Sequence, residues 1–234
     1  MAEADRAVTL CITMGRRPRL LTRTLKSLLA HNRFDDIVAV NDFGDEATNA
    51  AYRAVCPQGR LVSPPGKLGH HAAVDLMYQT VTTPYVFHCE DDWLFEPRPL
   101  LDTAFRLLEV PGGNAVSVRA ADDRRKMTNL VPGPGTADGL AYHQYSDAET
   151  EWGGFTFNPN LQPLSLWQEH GPWARFKDER TISQDQWAKG HRTIFATPGF
   201  CRHIGQGHST LEKDRWAKLK RSIVKRLPAI MRPG

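Results

Sequence analysis

Three acids stand side by side at Glu90-Asp91-Asp92, directly after the apolar run 85–89 (YVFHC). A short run of apolar, β-branched and aromatic residues reads as a buried strand. A strand that ends at the rim of a sheet holds the carboxylates that follow it in a fixed cluster. Mg²⁺ and Mn²⁺ take oxygen ligands and are commonly held by one or two carboxylates beside substrate phosphates. A cation held that way can bridge two phosphates and neutralise charge on a departing diphosphate. Three adjacent acids also form ordinary solvated turns, and it is the strand before them that points this triplet at a sheet rim.

Other residues offer chemistry with a structural alternative beside each. Asp185 lies in TISQDQW (181–187), where Ser183 or Asp185 could cap a helix by accepting from its unpaired N–H groups. His203 is followed by Gly205, Gly207 and His208, and glycines there allow a backbone to approach a ligand closely. A zinc site built on His203 and His208 lacks a third nearby ligand. Trp152, Gly153 and Gly154 precede a strand-like run. With Trp187 and Trp93 they could line a pocket, although core packing serves each tryptophan equally well.

The elements that must position these residues alternate. Strands are expected at 8–13, 36–40, 60–62 and 85–89, with helices at 20–30, 47–55 and 69–80. The first helix has leucines at helical spacing and Pro18 near its first turn. That order predicts an α/β fold whose mainly parallel sheet is covered on both faces. Ligands of such sheets sit beyond the carboxyl ends of the strands. Thr13-Met14-Gly15-Arg16, Asn41-Asp42 and Glu90-Asp91-Asp92 all fall at such ends. Further on, a helix is expected at 99–108, strands at 115–118, 154–157 and 193–196, and a helix opening at 183. The stretch 121–145, rich in glycine and proline, reads as a long mobile loop of the kind that forms active-site lids.

Composition narrows the class. Hydrophobic residues make up 41% and charged residues 24%, a globular balance. No run approaches the roughly 20 apolar residues that span a bilayer, and the acidic start MAEADRAVTLCIT has no signal core. Four cysteines without paired spacing suit a reducing, cytoplasmic setting. The net charge of +4 is concentrated in a basic tail from residue 212, and the body lacks a basic face interleaved with aromatic residues, which disfavours nucleic acid. The tail is expected to be helical. It either packs one apolar stripe on the domain or lies weakly on an anionic membrane.

In order and spacing these pieces resemble the nucleotide-binding half of GT-A fold glycosyltransferases, above all the large inverting family with a DxD-type metal motif. VTLCITMGRRPRLLTRTLKSLL matches the opening strand and helix, IVAVNDFGDE the strand ending in two acids, and GKLGHHAAVDLMYQTVTTPYVFHCEDD the helix leading to the metal triplet. FHCEDDWLFEPRPL is also similar to the Glu-Asp-Asp motif of the N-acetylglucosaminyltransferase I family. The resemblance covers residues 8–110 well and 150–210 more loosely. It implies one Rossmann-like GT-A domain over 1–211, with the nucleotide-sugar half at 1–92 and the acceptor half at 93–211. It implies a nucleotide-diphosphate sugar donor, UDP-sugar favoured, and Mn²⁺ or Mg²⁺. The acceptor could be a glycan, lipid, protein or small molecule.

Residue by residue, the resemblance makes Asp92 the direct metal ligand, puts Glu90 on the ribose or a metal-bound water, and gives Asp91 a supporting role. Asn41 and Asp42 take the place of two aspartates that read the nucleobase, with Asn41 a departure from the pattern. Thr13, Arg16 and Lys67 fall where loops approach the nucleotide, and Arg17 is an alternative to Arg16 at the phosphates. Asp185 becomes a general base at the start of a helix, which implies inversion, and His203 completes the metal shell or touches the diphosphate. Trp152, Gly153, Gly154 and Trp187 would line the acceptor site. A sugar-phosphate nucleotidyltransferase is a poorer match, because GRRPRLL lacks the glycine-rich loop of those enzymes. A non-catalytic module of the same fold is the rival from another class.

Overall fold

The computed structural model describes residues 6–64, 66–119, 130–146 and 154–205. Its first strand, β1 (Val8–Met14), is buried along its whole length. Val8, Leu10, Ile12 and Met14 enter one core, and Cys11 enters another on the opposite face. That two-sided burial explains why β1 reads as an unbroken apolar run rather than an alternation.

Parallel neighbours flank it. β2 (Asp36–Asn41) lies on one side with β3 (Arg60–Val62) beyond it, and β4 (Tyr85–Glu90) lies on the other. Helices make the crossovers. In α1 (Pro18–Leu29), Leu21, Leu25 and Leu28 form the buried stripe, and Pro18 sits in the first turn, where no N–H is missed. α2 (Glu46–Val55) is capped by Asp45, whose side chain accepts from Thr48 N at 3.0 Å. α3 (His70–Tyr78) leads into β4.

Past β4 the chain forms β5 (Trp93–Phe95), α4 (Leu101–Leu108), β6 (Gly113–Ser117), β7 (Leu130–Pro132), β8 (Ala141–Tyr145), β9 (Asn160–Pro163), α5 (Leu164–His170), α6 (Glu179–Ala188), β10 (Arg192–Thr197) and β11 (Cys201–His203). The main sheet runs β3-β2-β1-β4-β9-β6-β10-β8-β7, and β5 pairs with β11 in a separate ribbon. β9 is antiparallel to both β4 and β6, so the sheet is parallel in its first four strands and mixed beyond. α1, α2 and α4 supply the core on one face, and α3, α5 and α6 supply the other. The chain through Ile204 is one compact unit. Among the described residues no helix is long and apolar enough to cross a membrane.

Three expectations change. The run 154–157 is not a strand; the strand is β9, six residues later. Part of the expected lid loop is the β7–β8 hairpin on the sheet edge, while 120–129 lies outside the described residues. The helix expected to open at 183 opens at Glu179, on a capping box of Asp178 and Thr181. The expected break at 211/212 and the basic tail also lie outside the described residues.

Candidate functional site

The carboxyl ends of β1 and β4 meet at the rim. Thr13 is in register with Glu90, and both belong to the α3 face of the sheet. The loop after β1 turns back over the triplet, where Gly15 N donates to Asp91 Oδ2 at 3.0 Å. The Arg17 guanidinium bridges Asp91 and Asp92. Asp91 is fully buried and Asp92 nearly so.

The late histidine reaches the triplet through the small ribbon. Antiparallel pairing sets His203 opposite Trp93, and Ile204 N donates to the Asp92 carbonyl at 2.9 Å. This puts His203 Nε2 3.0 Å from Asp92 Oδ2. Trp93 N is itself held by Thr24 Oγ1 of α1 at 3.0 Å, so helix, ribbon and triplet are tied together.

Burial treats the three acids differently. It pushes Glu90 up to about 8, helped by the neighbouring charges of Asp92 and Glu179, against a hydrogen bond from Trp93 Nε1 at 3.3 Å. It lifts Asp91 to about 6, with Arg17 and Gly15 N pulling the other way. Burial also opposes charge on Asp92, but the hydrogen bond with His203 and the charge of Arg17 outweigh it and hold that carboxyl below its ordinary value.

The residues fit a divalent cation. Asp92 Oδ1 is buried without a hydrogen-bond partner, a costly arrangement for a carboxylate oxygen unless something binds it. Its other oxygen meets both the Arg17 guanidinium and the His203 imidazole, and carboxylate with imidazole is a donor set that Mn²⁺ accepts. No group of three or more His, Cys, Asp or Glu side chains among the described residues is arranged to hold a metal. Asp92 and His203 are therefore the two side chains that would hold a cation here.

At the β2 rim the structure changes the expected roles. Asn41 is fully buried, and its amide donates to Asp45 O at 3.1 Å and to Asn49 Oδ1 at 2.8 Å. Its Oδ1 accepts from Phe43 N and Gly44 N, both at 3.1 Å. The side chain closes a turn and offers no edge to a base. Asp42 accepts from Leu68 N at 2.6 Å and Gly69 N at 3.0 Å, so it clasps the segment carrying Lys67. That clasp brings Lys67 Nζ 4.8 Å from the centre of the Phe43 ring, and the Arg16 guanidinium lies 4.7 Å from the same centre. Phe43 was not singled out from sequence. The only available signal was an aromatic residue inside an otherwise polar turn. Arg16 has φ 56°, and its N–H is fixed by Asp45 Oδ2 at 2.8 Å.

Asp185 is not at the start of its helix. It sits in the second half of α6, with Oδ2 2.7 Å from Lys189 Nζ and 3.8 Å from Arg175. The carboxylate at the helix start is Glu179. It accepts from Phe157 N at 2.7 Å and Thr156 Oγ1 at 3.2 Å, and its charge reaches Glu90. Burial lifts the Glu179 carboxyl, against those hydrogen bonds. Glu179 is thus the α6 carboxylate whose charge acts on the triplet. Trp187 carries the Arg192 guanidinium on its ring at 3.7 Å. Trp93 is buried beside His203, with ring centres 5.1 Å apart, and exposes no face for stacking. Gly154 has φ 100°, and a Cβ there would meet the Tyr145 ring at 2.9 Å, which gives that glycine a packing reason. Trp152, Gly153 and His208 lie outside the described residues.

No protein-family model matches the chain, and no curated protein sequence does. Solved structures do match. Mannosyltransferase PcManGT from Pyrobaculum calidifontis, in complex with GDP-Man and Mn²⁺, superposes with a TM-score of 0.65 at 17% identity over 97% of this chain. GalNAc-T7 with UDP, GalNAc and Mn²⁺ superposes at 0.62 with 10% identity over 85%, and S. aureus TarS at 0.59 with 10% identity over 94%. The chain has the GT-A fold. It spans 64% of the length of PcManGT, 44% of GalNAc-T7 and 39% of TarS. At these identities the similarity concerns the GT-A fold alone, so the roles of the rim residues rest on their own geometry.

Proposed function

We propose that this chain is a metal-dependent glycosyltransferase that moves a sugar from a nucleotide-diphosphate sugar to an acceptor hydroxyl. The observation that carries the reading is Asp92, whose unpartnered buried oxygen and His203-facing oxygen lie at the β1–β4 rim of a GT-A sheet. The ligands named for PcManGT and GalNAc-T7, GDP-Man, UDP, GalNAc and Mn²⁺, support the same class of donor and cation. In this reading Asp92 and His203 hold the cation, and residues up to 92 form the donor half. A cation bound there neutralises charge on the departing diphosphate.

The acceptor half supplies the base. A sugar hydroxyl needs a positioned proton acceptor. Glu179 is better placed for that work than Asp185: it is half-buried, fixed by Phe157 N and close enough for its charge to act on Glu90, while Asp185 is ion-paired with Lys189. The acceptor proton passes to Glu179 as the hydroxyl oxygen bonds to the anomeric carbon. The bond from that carbon to the phosphate oxygen breaks with inversion, and its electron pair leaves with the diphosphate.

The test is release of nucleoside diphosphate from a panel of UDP- and GDP-sugars, with Mn²⁺ and with EDTA. Turnover is expected only with the metal, and Asp92→Asn is expected to abolish it. Equal turnover in EDTA removes the metal role. No turnover with any donor, together with no metal-dependent nucleotide binding, removes the transferase reading.

A further inference from the structure

The innermost acids of the site are held by a cation that the protein supplies itself. Arg17 contacts Asp91 with one guanidinium nitrogen and Asp92 with another. The Asp92 oxygen it contacts is Oδ2, the atom that also faces His203 Nε2. A divalent cation shared by Asp92 and His203 would take the Asp92 carboxylate and the His203 imidazole as ligands. A guanidinium hydrogen-bonded to that same oxygen would then stand against a dication, and like charges that close, in a poorly solvated place, repel strongly. Asp92 Oδ1 stays open to a cation, but guanidinium and dication then compete as like charges for one carboxylate.

We propose that Arg17 is a displaceable counter-cation, which occupies Asp92 Oδ2 in the metal-free protein and leaves it when a divalent cation and a nucleotide diphosphate bind together. The inference rests on the metal reading of Asp92 given above. Two features make the exchange local. The second anchor, Asp91, is fully buried and fastened to Gly15 N, so the guanidinium can keep one carboxylate while it gives up the other. The Arg17 side chain retains 16% exposure at the rim, on the side where a ligand of the sheet arrives. A planar guanidinium displaced from a carboxylate is suited to take phosphate oxygens in the same two-pronged way. The diphosphate thus gives Arg17 a new partner as the cation takes its old one. Cation and nucleotide thereby bind cooperatively with no large movement of the fold.

The experiment compares wild type with Arg17→Ala by titrating Mn²⁺ alone, then with GDP or UDP present, and by melting both proteins in EDTA and in Mn²⁺. Removal of the competitor is expected to tighten Mn²⁺ binding alone by at least about fivefold, and to shrink the nucleotide's enhancement of Mn²⁺ affinity by a similar factor. The variant is expected to melt below wild type in EDTA, where two buried acids lose their counter-charge, and Mn²⁺ is expected to close that gap. Arg17→Gln, which keeps hydrogen-bond donors without the charge, carries the same expectation and replaces the alanine variant if that one folds poorly. Mn²⁺ affinity that is unchanged or weaker in the variants, while Asp92→Asn abolishes binding, overturns the counter-cation and leaves the metal site standing. No Mn²⁺ binding to wild type with either nucleotide overturns the metal reading and this proposal together.

Discussion

Asp92 and Glu179 show how environment divides work among acids. Asp92 is held below its ordinary value by His203 and Arg17 against its burial, as its proposed role as metal ligand requires. Glu179 is lifted by burial, which moves a carboxylate toward the neutral range where a general base works well. Replacing Glu179 with Gln preserves an acceptor for Phe157 N and removes the proton acceptor. The expected result is a fall in kcat of about 10²-fold or more, with donor KM little changed. Asp185→Asn weakens partly exposed ion pairs with Lys189 and Arg175, each worth about 0.5 kcal/mol, and should leave kcat within about twofold. Steady-state kinetics on both variants decides between them; the opposite ranking would return the base to Asp185.

The loop between β1 and α1 positions the site as an element, and its constraint comes from outside itself. A Cβ on Gly15 would lie 2.2 Å from the Phe43 ring, which belongs to the turn after β2. Gly15→Ala must therefore push apart the two loops that carry Arg17 and Phe43. Overpacking of this kind costs about 1–3 kcal/mol. The expected outcome is a lower melting temperature with weaker nucleotide binding, and Phe43→Leu in the same chain should recover part of both. A stable Gly15→Ala protein with normal binding would show that the loops move independently.

The elements also mark how far sequence can be read. β1, β2, β3, β4, α1, α2 and α3 follow from apolar runs and helical spacing, because each is decided by local pattern. β9 (NLQP) was illegible: its Asn and Gln are buried by strand partners distant in sequence, and no local rule predicts that. The triplet was legible from the strand before it. The turn-closing work of Asn41 was not legible because its hydrogen bonds to Asn49 and Phe43 N exist only once the turn has formed. Glu179, the proposed base, was not legible because the capping box at Asp178 starts α6 a turn earlier than the apolar pattern suggests.

At the scale of the whole molecule, the face of the sheet opposite α1, α2 and α4 depends on the joint between α5 and α6, and that joint contains a buried histidine. His170 Nδ1 lies 3.0 Å from Lys189 Nζ, and its Nε2 lies 3.0 Å from His191 Nε2. Asp185 and Glu169 stand at 3.9 Å, and Arg175 donates to the His170 carbonyl at 3.1 Å. Burial, then Lys189 and then His191 lower the His170 pKa below its ordinary 6.5, with the two acids opposing only in part. The folded chain therefore keeps His170 neutral over a range of pH in which the unfolded chain protonates it. Unfolding takes up a proton in that window, so stability falls as pH drops below about 6.5 and continues to fall until the folded pKa is reached. One such group can contribute at most about 1.4 kcal/mol per pH unit. Urea unfolding at pH 7.5, 6.5 and 5.5 should show this loss in the wild type and a shallower slope in His170→Gln, which cannot titrate. An unchanged slope in that variant would assign the acid sensitivity to other groups.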